Sequence, residues 1–183
     1  MARQRHNNKP EAELWSFLDE ATAKVPPSIP EVHADAMITC MTLRLASNFL
    51  QEDLAESLAD TGLNARELLM CLLLYTDGEL EFRTLLSYIP IKKATASVTV
   101  DGLVKRGDML RRESPIDRRV VLLSLTDQGR KHFQHAFTTY NSREQFWSSG
   151  LTSEEAAQLV ALLRKIVDHG RERMQQTDAD SES

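Results

Sequence analysis

Cysteine, glycine and proline are scarce in this sequence, and it contains no long apolar run. Of 183 residues, two are cysteine, seven are glycine and six are proline, so most of the chain should fold into regular structure. No stretch is long and apolar enough to span a bilayer, and the opening MARQRHNNKPEAE lacks the apolar core of a secretory signal. We therefore expect a cytoplasmic protein that does not bind membranes.

The small number of cysteines excludes a disulfide framework and a thiolate zinc site. Cys40 and Cys71 each lie in an apolar run with helical character, which predicts two reduced side chains in the core. A redox-sensing thiol is the alternative, and it requires an exposed thiolate near a cation.

Catalytic motifs are missing as well. The chain has no glycine-rich phosphate loop, no nucleophile elbow and no His-Glu-x-x-His pair, so we predict neither enzymatic activity nor a cofactor. His132 and His135 lie three residues apart and could reach one metal ion if they share a helix. We predict no metal site, because no cysteine lies near them to complete it.

Charge is unevenly distributed along the chain. The net charge is −5, which by itself argues against a nucleic-acid partner. Residues 92–119, however, contain eight basic and four acidic side chains, whereas residues 140–183 contain five basic and eight acidic ones. This local excess of positive charge predicts one surface that binds an anion.

Hydrophobic periodicity predicts a mainly helical chain. A short helix can form near Trp15, and prolines 26, 27 and 30 should then interrupt helical structure. Asn64 followed by Glu67, and Thr152 followed by Glu155, are typical of helix N-terminal caps. The further predicted helices cover residues 32–58, 64–75, 82–89, 92–106, 126–147 and 152–169, the last of them ending at Gly170.

A hairpin interrupts the helices between Gly107 and Thr126. Residues 109–112 and 120–125 have the pattern of two short strands, joined by a turn at 114–117. The helices before them, at 82–89 and 92–106, are separated by a tight turn. This order predicts a mainly α fold with a small β-hairpin wing, that is, a winged helix-turn-helix.

The start of the predicted helix at 92–106 has the chemistry of a phosphate site. Free amide groups and the positive end of the helix dipole lie there, so Lys92 and Lys93 are locally unfavourable unless an anion is bound. Small side chains follow, which would let the helix approach base edges in the major groove. The predicted DNA contacts on this helix are Lys92, Lys93, Thr95, Ser97, Val98 and Thr99.

The predicted wing carries four arginines. Arg111 and Arg112 precede the turn and Arg118 and Arg119 follow it, and guanidinium groups on a thin ribbon suit a narrow minor groove. Asp117 is expected to support the wing by closing its turn or orienting an arginine.

These residues resemble those of the MarR family. The segment from Gly78 to Gly129, and above all DRRVVLLSLTDQG at 117–129, is similar to the wing and following turn of MarR-type regulators. Three positions depart from the family pattern: Lys92 stands where a capping Asp or Ser is frequent, Val98 where Arg is frequent, and Asp108 where an aliphatic residue is usual.

The resemblance implies a homodimeric DNA-binding regulator, usually a repressor that a small aromatic acid releases from a near-palindromic operator. It implies an N-terminal extension at 1–30 and a MarR-like domain at 31–174, followed by a disordered tail at 175–183. Within the domain, residues of about 31–60 and 140–174 would form an all-helical dimerisation lobe, and about 64–130 the winged helix-turn-helix.

An effector site is predicted on the long helix at 32–58. His33, Met37 and Arg44 share roughly one face, with a cation at each end that could hold a carboxylate. Two other functions stay open: a winged-helix module that binds another protein, and a thiol-based redox sensor on the same scaffold.

Overall fold

A computed structural model of the chain describes residues 11–89 and 91–181. Within these residues it contains seven α-helices and three short β-strands. The elements are α1 (Glu11–Ser28), α2 (Ala34–Ser57), α3 (Ala65–Asp77), β1 (Leu80–Glu81), α4 (Phe82–Tyr88), α5 (Lys93–Lys105), β2 (Met109–Glu113), β3 (Val121–Leu125), α6 (Asp127–Ser148) and α7 (Ser153–Ser181). In this part of the chain no helix combines the length and the apolar character needed to cross a membrane.

The chain divides into two compact units, one ending at Asp53 and the other beginning at Leu54. The first unit holds α1 and most of α2. Contrary to the prediction, helix α1 contains Pro26 and Pro27. Both lie in its last turn, where each proline removes one amide donor, and the N–H of Ile29 still bonds to the carbonyl of Val25 at 3.0 Å.

The second unit contains the predicted helix-turn-helix. Helices α4 and α5 pack with α3 and α6 around an apolar core, because each presents an apolar stripe at helical spacing. Pro90, in the turn between α4 and α5, lies outside the described residues. The centre of the core consists of Met70, Cys71 and Leu74 of α3, Leu85 of α4, Val100 and Leu103 of α5, Met109, Leu123 and Phe133.

The wing is an antiparallel sheet in the order β1-β3-β2. Strands β2 and β3 pair from Met109 opposite Leu125 to Glu113 opposite Val121, as the hairpin pattern predicts. Strand β1 was not predicted, and its two residues pair with Leu122 and Leu123 of β3. The wing is therefore connected through β1 to the start of α4.

A close backbone contact joins α6 to the base of the wing. The hydroxyl of Thr126 donates to the carbonyl of Gly107 at 2.7 Å and accepts from the N–H of Gly129 at 2.8 Å. A Cβ atom on Gly129 would lie 1.8 Å from the carbonyl oxygen of Asp108. The Leu-Thr-x-x-Gly segment at 125–129 thus combines a buried leucine, a helix cap and a glycine that permits close approach.

Two helix starts have the predicted caps. The side chain of Asn64 accepts from the N–H of Glu67 while the Glu67 carboxylate accepts from the N–H of Asn64. Thr152 and Glu155 form the same reciprocal pair ahead of α7. These bonds satisfy amide groups that a helix leaves unpaired at its first turn.

Helix α7 is longer than the sequence predicts. It continues through Gly170 to Ser181, so Gly170 does not end it. A glycine inside a helix costs only about 1 kcal/mol relative to alanine, and no proline follows to stop the helix. Residues 175–181 therefore lie in the helix rather than in a disordered tail, and residues 182 and 183 lie outside the described residues.

The two cysteines have different surroundings. Cys71 is buried in the core as predicted, whereas Cys40 is exposed in the single chain, so the prediction of a buried Cys40 is wrong. Burial, followed by the charges of Asp108 and Glu67, raises the pKa of the Cys71 thiol to about 12. A redox sensor needs an accessible thiolate, and Cys71 is neither accessible nor ionised near neutral pH.

A buried polar network surrounds Asp108, the residue that departs from the family pattern. Asp108 is 2% exposed, and its carboxylate contacts Nε of Arg106 at 3.3 Å and Nδ1 of His132 at 3.0 Å. Arg106 also contacts Glu67 at 3.0 Å. A buried carboxylate is tolerated only when it is paired and hydrogen-bonded, and these partners satisfy it.

His132 is held between two acceptors in this network. Its Nδ1 faces the Asp108 carboxylate and its Nε2 lies 2.6 Å from the carbonyl oxygen of Thr61. Only the doubly protonated ring can donate to both. Partial burial lowers the pKa of His132, but the hydrogen bonds that its ring donates to the Thr61 carbonyl and the Asp108 carboxylate outweigh this effect, so the pKa is raised above 6.5. Neither ring nitrogen is free for a metal ion.

His132 should therefore stabilise the fold more in acid than in base. Because its folded pKa is raised above the unfolded value, the added stability is complete below pH 6.5 and disappears as the pH rises through the folded pKa. We expect His132→Ala to lower the free energy of unfolding more near pH 6 than near pH 9, measured by urea denaturation. The variant His135→Ala, which removes an exposed histidine of the same helix, is the control. A loss of unfolding free energy in His132→Ala that stays constant or grows with pH would contradict the raised pKa of His132.

Candidate nucleic-acid interface

The N-terminus of α5 is open to solvent and lacks a side-chain cap. Lys92 occupies the cap position with an extended backbone, and its side chain makes no capping hydrogen bond. The first hydrogen bond of the helix is from the N–H of Ala96 to the carbonyl of Lys92 at 3.0 Å. The amide groups of the first turn are therefore free to bind an anion between Lys92 and Lys93, both of which are exposed.

The predicted contact residues of α5 differ in how accessible they are. Thr95 and Val98 are exposed, and Val98 is 72% exposed despite its apolar side chain. Ser97 and Thr99 are half-buried, and the Thr99 hydroxyl already donates to the carbonyl of Thr95 at 2.9 Å. Thr95 and Val98 are thus the α5 side chains best placed to reach a base edge.

The tip of the wing is fixed by local hydrogen bonds. The carboxylate of Asp117 accepts from the N–H of Arg119 at 2.9 Å, and the hydroxyl of Ser114 accepts from the N–H of Ile116 at 3.3 Å. Arg118 and Arg119 both project from this turn as exposed side chains. The turn therefore exposes two guanidinium groups on a hairpin whose conformation is held by hydrogen bonds.

The other two wing arginines are engaged within the protein. Nη1 of Arg111 lies 2.8 Å from Oδ1 of Asp101, which is on α5. Arg112 forms a two-pronged contact with Glu79, at 2.8 Å from Nε and 2.6 Å from Nη2. The sequence grouped all four arginines as DNA contacts, but Arg111 and Arg112 have carboxylate partners that spacing along the chain does not reveal.

The positive charge of segment 92–119 thus separates into paired and unpaired groups. Arg106, Arg111 and Arg112 are paired with carboxylates. In the described part of the chain, the five other basic side chains have no ion-pair partner: Lys92, Lys93, Lys105, Arg118 and Arg119. Four of these five flank the N-terminus of α5 or the tip of the wing, which are the two places where a winged helix meets DNA.

A groove lies between α5 and the wing. Its volume is about 600 Å³, and its lining includes Arg83, Lys93, Ser97, Asp117 and Arg119. Basic side chains from α4, α5 and the wing therefore line one concave surface. A concave surface with one dominant sign of charge concentrates counter-ions and suits a phosphate backbone.

One residue of this surface was not predicted from the sequence. Ile116, at the tip of the wing, is 95% exposed, although it is a large apolar side chain. Proteins that enter the minor groove often place an apolar side chain there beside their arginines. The signal was present in the sequence, as an isoleucine inside a hairpin turn that otherwise favours polar residues.

The predicted effector residues lie in the first unit, at the start and in the first half of α2. His33 precedes the helix, where its carbonyl accepts from the N–H of Met37 at 3.0 Å. His33 and Arg44 are exposed in the single chain, and Met37 is half-buried. These three residues alone do not enclose a pocket for a ligand.

A separate apolar cavity of about 440 Å³ lies within the second unit, between α3 and α6. Its polar rim includes Arg66, Tyr140 and Glu144. Partial burial, and then the charge of Glu144, raises the pKa of Tyr140 above its ordinary value, so its hydroxyl remains a donor. Apolar side chains complete the lining: Leu68, Leu69, Leu72, Ile89, Ile91 and Phe137. An apolar wall with a few polar groups is typical of a small-molecule site.

Comparison with known proteins places this surface in a family. Residues 63–121 match the MarR family model. The transcriptional repressor MdtR of Bacillus subtilis is 26% identical over 135 residues, which cover 73% of this chain and 87% of MdtR.

Two solved structures have the same fold. BpsR of Bordetella bronchiseptica, studied for the regulation of its DNA binding by 6-hydroxynicotinic acid, superposes with a TM-score of 0.65 at 26% identity and covers 70% of this chain and 91% of BpsR. A mutant MarR of Escherichia coli in complex with operator DNA also gives a TM-score of 0.65, at 20% identity, over 78% of this chain and 97% of that one. Segment 63–121 of this chain therefore matches the MarR family of transcriptional regulators, and the chain shares the winged helix-turn-helix fold of MarR itself.

Proposed function

We propose that this protein is a homodimeric repressor that binds a near-palindromic operator and leaves it when a small aromatic acid binds. In this proposal the N-terminus of α5 lies on the phosphate backbone, with Thr95 and Val98 at base edges of the major groove. Arg118 and Arg119 enter the adjacent minor groove, and Ile116 packs against its sugar walls. The observation that carries the proposal is the set of unpaired basic side chains at these two places.

The proposed dimer rests on the apolar face of α7. Leu159, Leu162, Ile166 and Val167 are all exposed in the single chain, although they follow one another at helical spacing. A continuous apolar stripe of this kind is typical of a subunit interface. A second copy provides the symmetric partner that a two-fold operator requires.

Selection from a pool of random duplexes tests the DNA-binding proposal. The purified protein should enrich sequences with two inverted half-sites whose centres lie about one helical turn apart. An enriched single half-site would contradict the dimeric mode. Failure to enrich any duplex at low salt would contradict DNA recognition altogether and would favour a protein partner.

For the effector we propose the cavity between α3 and α6. The ring of an aromatic acid would pack against Leu69 and Leu72, and its carboxylate would pair with Arg66 at the rim. BpsR, whose DNA binding is regulated by 6-hydroxynicotinic acid, supports an aromatic acid as the class of ligand. The alternative site, on α2, uses His33, Met37 and Arg44.

Two matched variants distinguish the effector sites. We expect Arg66→Gln to raise the concentration of aromatic acid needed for DNA release by about tenfold, because glutamine cannot form the charge-assisted hydrogen bonds, without changing DNA affinity in the absence of ligand. Arg44→Gln should leave that concentration unchanged. The reverse result would place the effector on α2, and a set of acids including 6-hydroxynicotinic acid serves as the probe.

A further inference from the structure

Two ion pairs, one on each face of the sheet, hold strand β2 of the wing. Arg111 and Arg112 are consecutive in a strand, so their side chains leave opposite faces of the sheet. Arg111 reaches Asp101 on α5, and Arg112 reaches Glu79, which stands between α3 and β1. Strand β2 is thus held to α5 on one face and to the start of the sheet on the other.

The contact between Glu79 and Arg112 is geometrically specific. Both carboxylate oxygens bond to the guanidinium, at 2.8 and 2.6 Å. The two residues are 33 positions apart, and their contact crosses the sheet because β3 lies between β1 and β2. Bidentate pairs restrict orientation more than single contacts do, so this one limits how the wing can tilt.

We propose that Glu79 is a positioning residue for DNA binding, which it promotes by fixing the wing through Arg112 although it carries a negative charge near the DNA. This inference rests on the proposed function. Simple electrostatics makes the opposite prediction, since removal of an acidic side chain beside a DNA-binding surface should strengthen binding. The two effects therefore differ in sign.

Glu81 provides a matched control. It lies two residues from Glu79, in β1, and it lines the groove between α5 and the wing. In the part of the chain that the structure describes, its carboxylate makes no ion pair. Glu81→Gln thus removes a negative charge close to that of Glu79 without breaking an ion pair that holds the wing.

The experiment compares DNA affinities by fluorescence anisotropy on a duplex that the wild-type chain binds. We expect Glu79→Gln to bind DNA about fivefold more weakly per wing, which corresponds to the upper end of the range of free energies for an exposed ion pair. The dependence of its affinity on salt concentration should equal that of the wild-type protein, because no phosphate contact is lost. Glu81→Gln should bind equally well or more tightly. Exchange of the charges, in Glu79→Arg/Arg112→Glu, should restore part of the affinity that either single substitution removes.

Several outcomes overturn the inference. Tighter binding by Glu79→Gln shows that its negative charge opposes DNA binding more than its ion pair promotes it, and unchanged binding shows that the ion pair does not position the wing. An exchanged pair that binds no better than Arg112→Glu alone shows that Arg112 acts on DNA directly. Thermal melting of each variant excludes global unfolding as the cause of weaker binding. Wild-type protein that binds no duplex overturns the proposed function and this inference together, whereas binding with an unchanged Glu79→Gln overturns this inference alone.

Discussion

The double variant Arg118→Ala/Arg119→Ala is expected to bind DNA about 100-fold more weakly per wing, because each wing then lacks two charge-assisted hydrogen-bonding groups worth about 1.5 kcal/mol each. Both side chains are exposed and have no carboxylate partner in the described residues, so their removal should leave the fold intact. The slope of log affinity against log salt should also decrease by about 0.9 for each phosphate that the variant no longer neutralises.

Lys131→Ala/Lys165→Ala is the matched control for this change. It removes the same net charge from exposed positions on α6 and α7, neither of which is among the proposed DNA contacts. Because neither lysine is a proposed phosphate contact, the control should bind DNA more tightly than Arg118→Ala/Arg119→Ala does. Equally weak binding by the two double variants would show that net charge, and not the wing, accounts for DNA affinity.

Gly129→Ala is expected to have the largest effect on stability. The added Cβ would lie 1.8 Å from the carbonyl oxygen of Asp108 and 2.7 Å from its carbonyl carbon, and neither atom can move without displacing the base of the wing. We expect the free energy of unfolding to fall by about 3 kcal/mol or more, as measured by chemical denaturation. The wing should detach from α6 first.

Gly102→Ala is the control for the Gly129 variant. Gly102 also lies within a helix, α5, but a Cβ there would have no heavy atom within 4 Å. Alanine is a better helix former than glycine, so this variant should be more stable than the wild type by about 0.5–1 kcal/mol. Similar stability for the two alanine variants would contradict the close approach at Gly129.

Local signals made much of the fold predictable. The reciprocal cap at Asn64 and Glu67, the cap at Thr152 and Glu155 and the hairpin pattern each depend on residues only a few positions apart. The charge excess of segment 92–119 likewise indicated the surface that we propose binds DNA. Strand β1 was missed because two residues carry no periodicity, and they are a strand only through pairing with β3.

Contacts between distant elements were not predictable. The partners of Arg111 and Arg112 lie 10 and 33 residues away, and only the folded sheet brings them together. Asp108 was recognised as unusual, but its burial with Arg106 and His132 depends on the junction of α5, β2 and α6. The exposure of Cys40 was missed because an apolar helix has the same pattern whether it packs within its own chain or against another surface.

The most direct test of DNA binding by the winged helix is a fluorescence-anisotropy titration of the wild-type protein against the duplex upstream of its own gene, repeated at several salt concentrations. Contact between phosphates and the unpaired basic side chains predicts tight binding at low salt and a linear decrease of log affinity with log salt, with a slope of about −0.9 for each phosphate contact. An absence of binding at low salt, on this duplex and on random duplexes, would contradict DNA recognition by this protein.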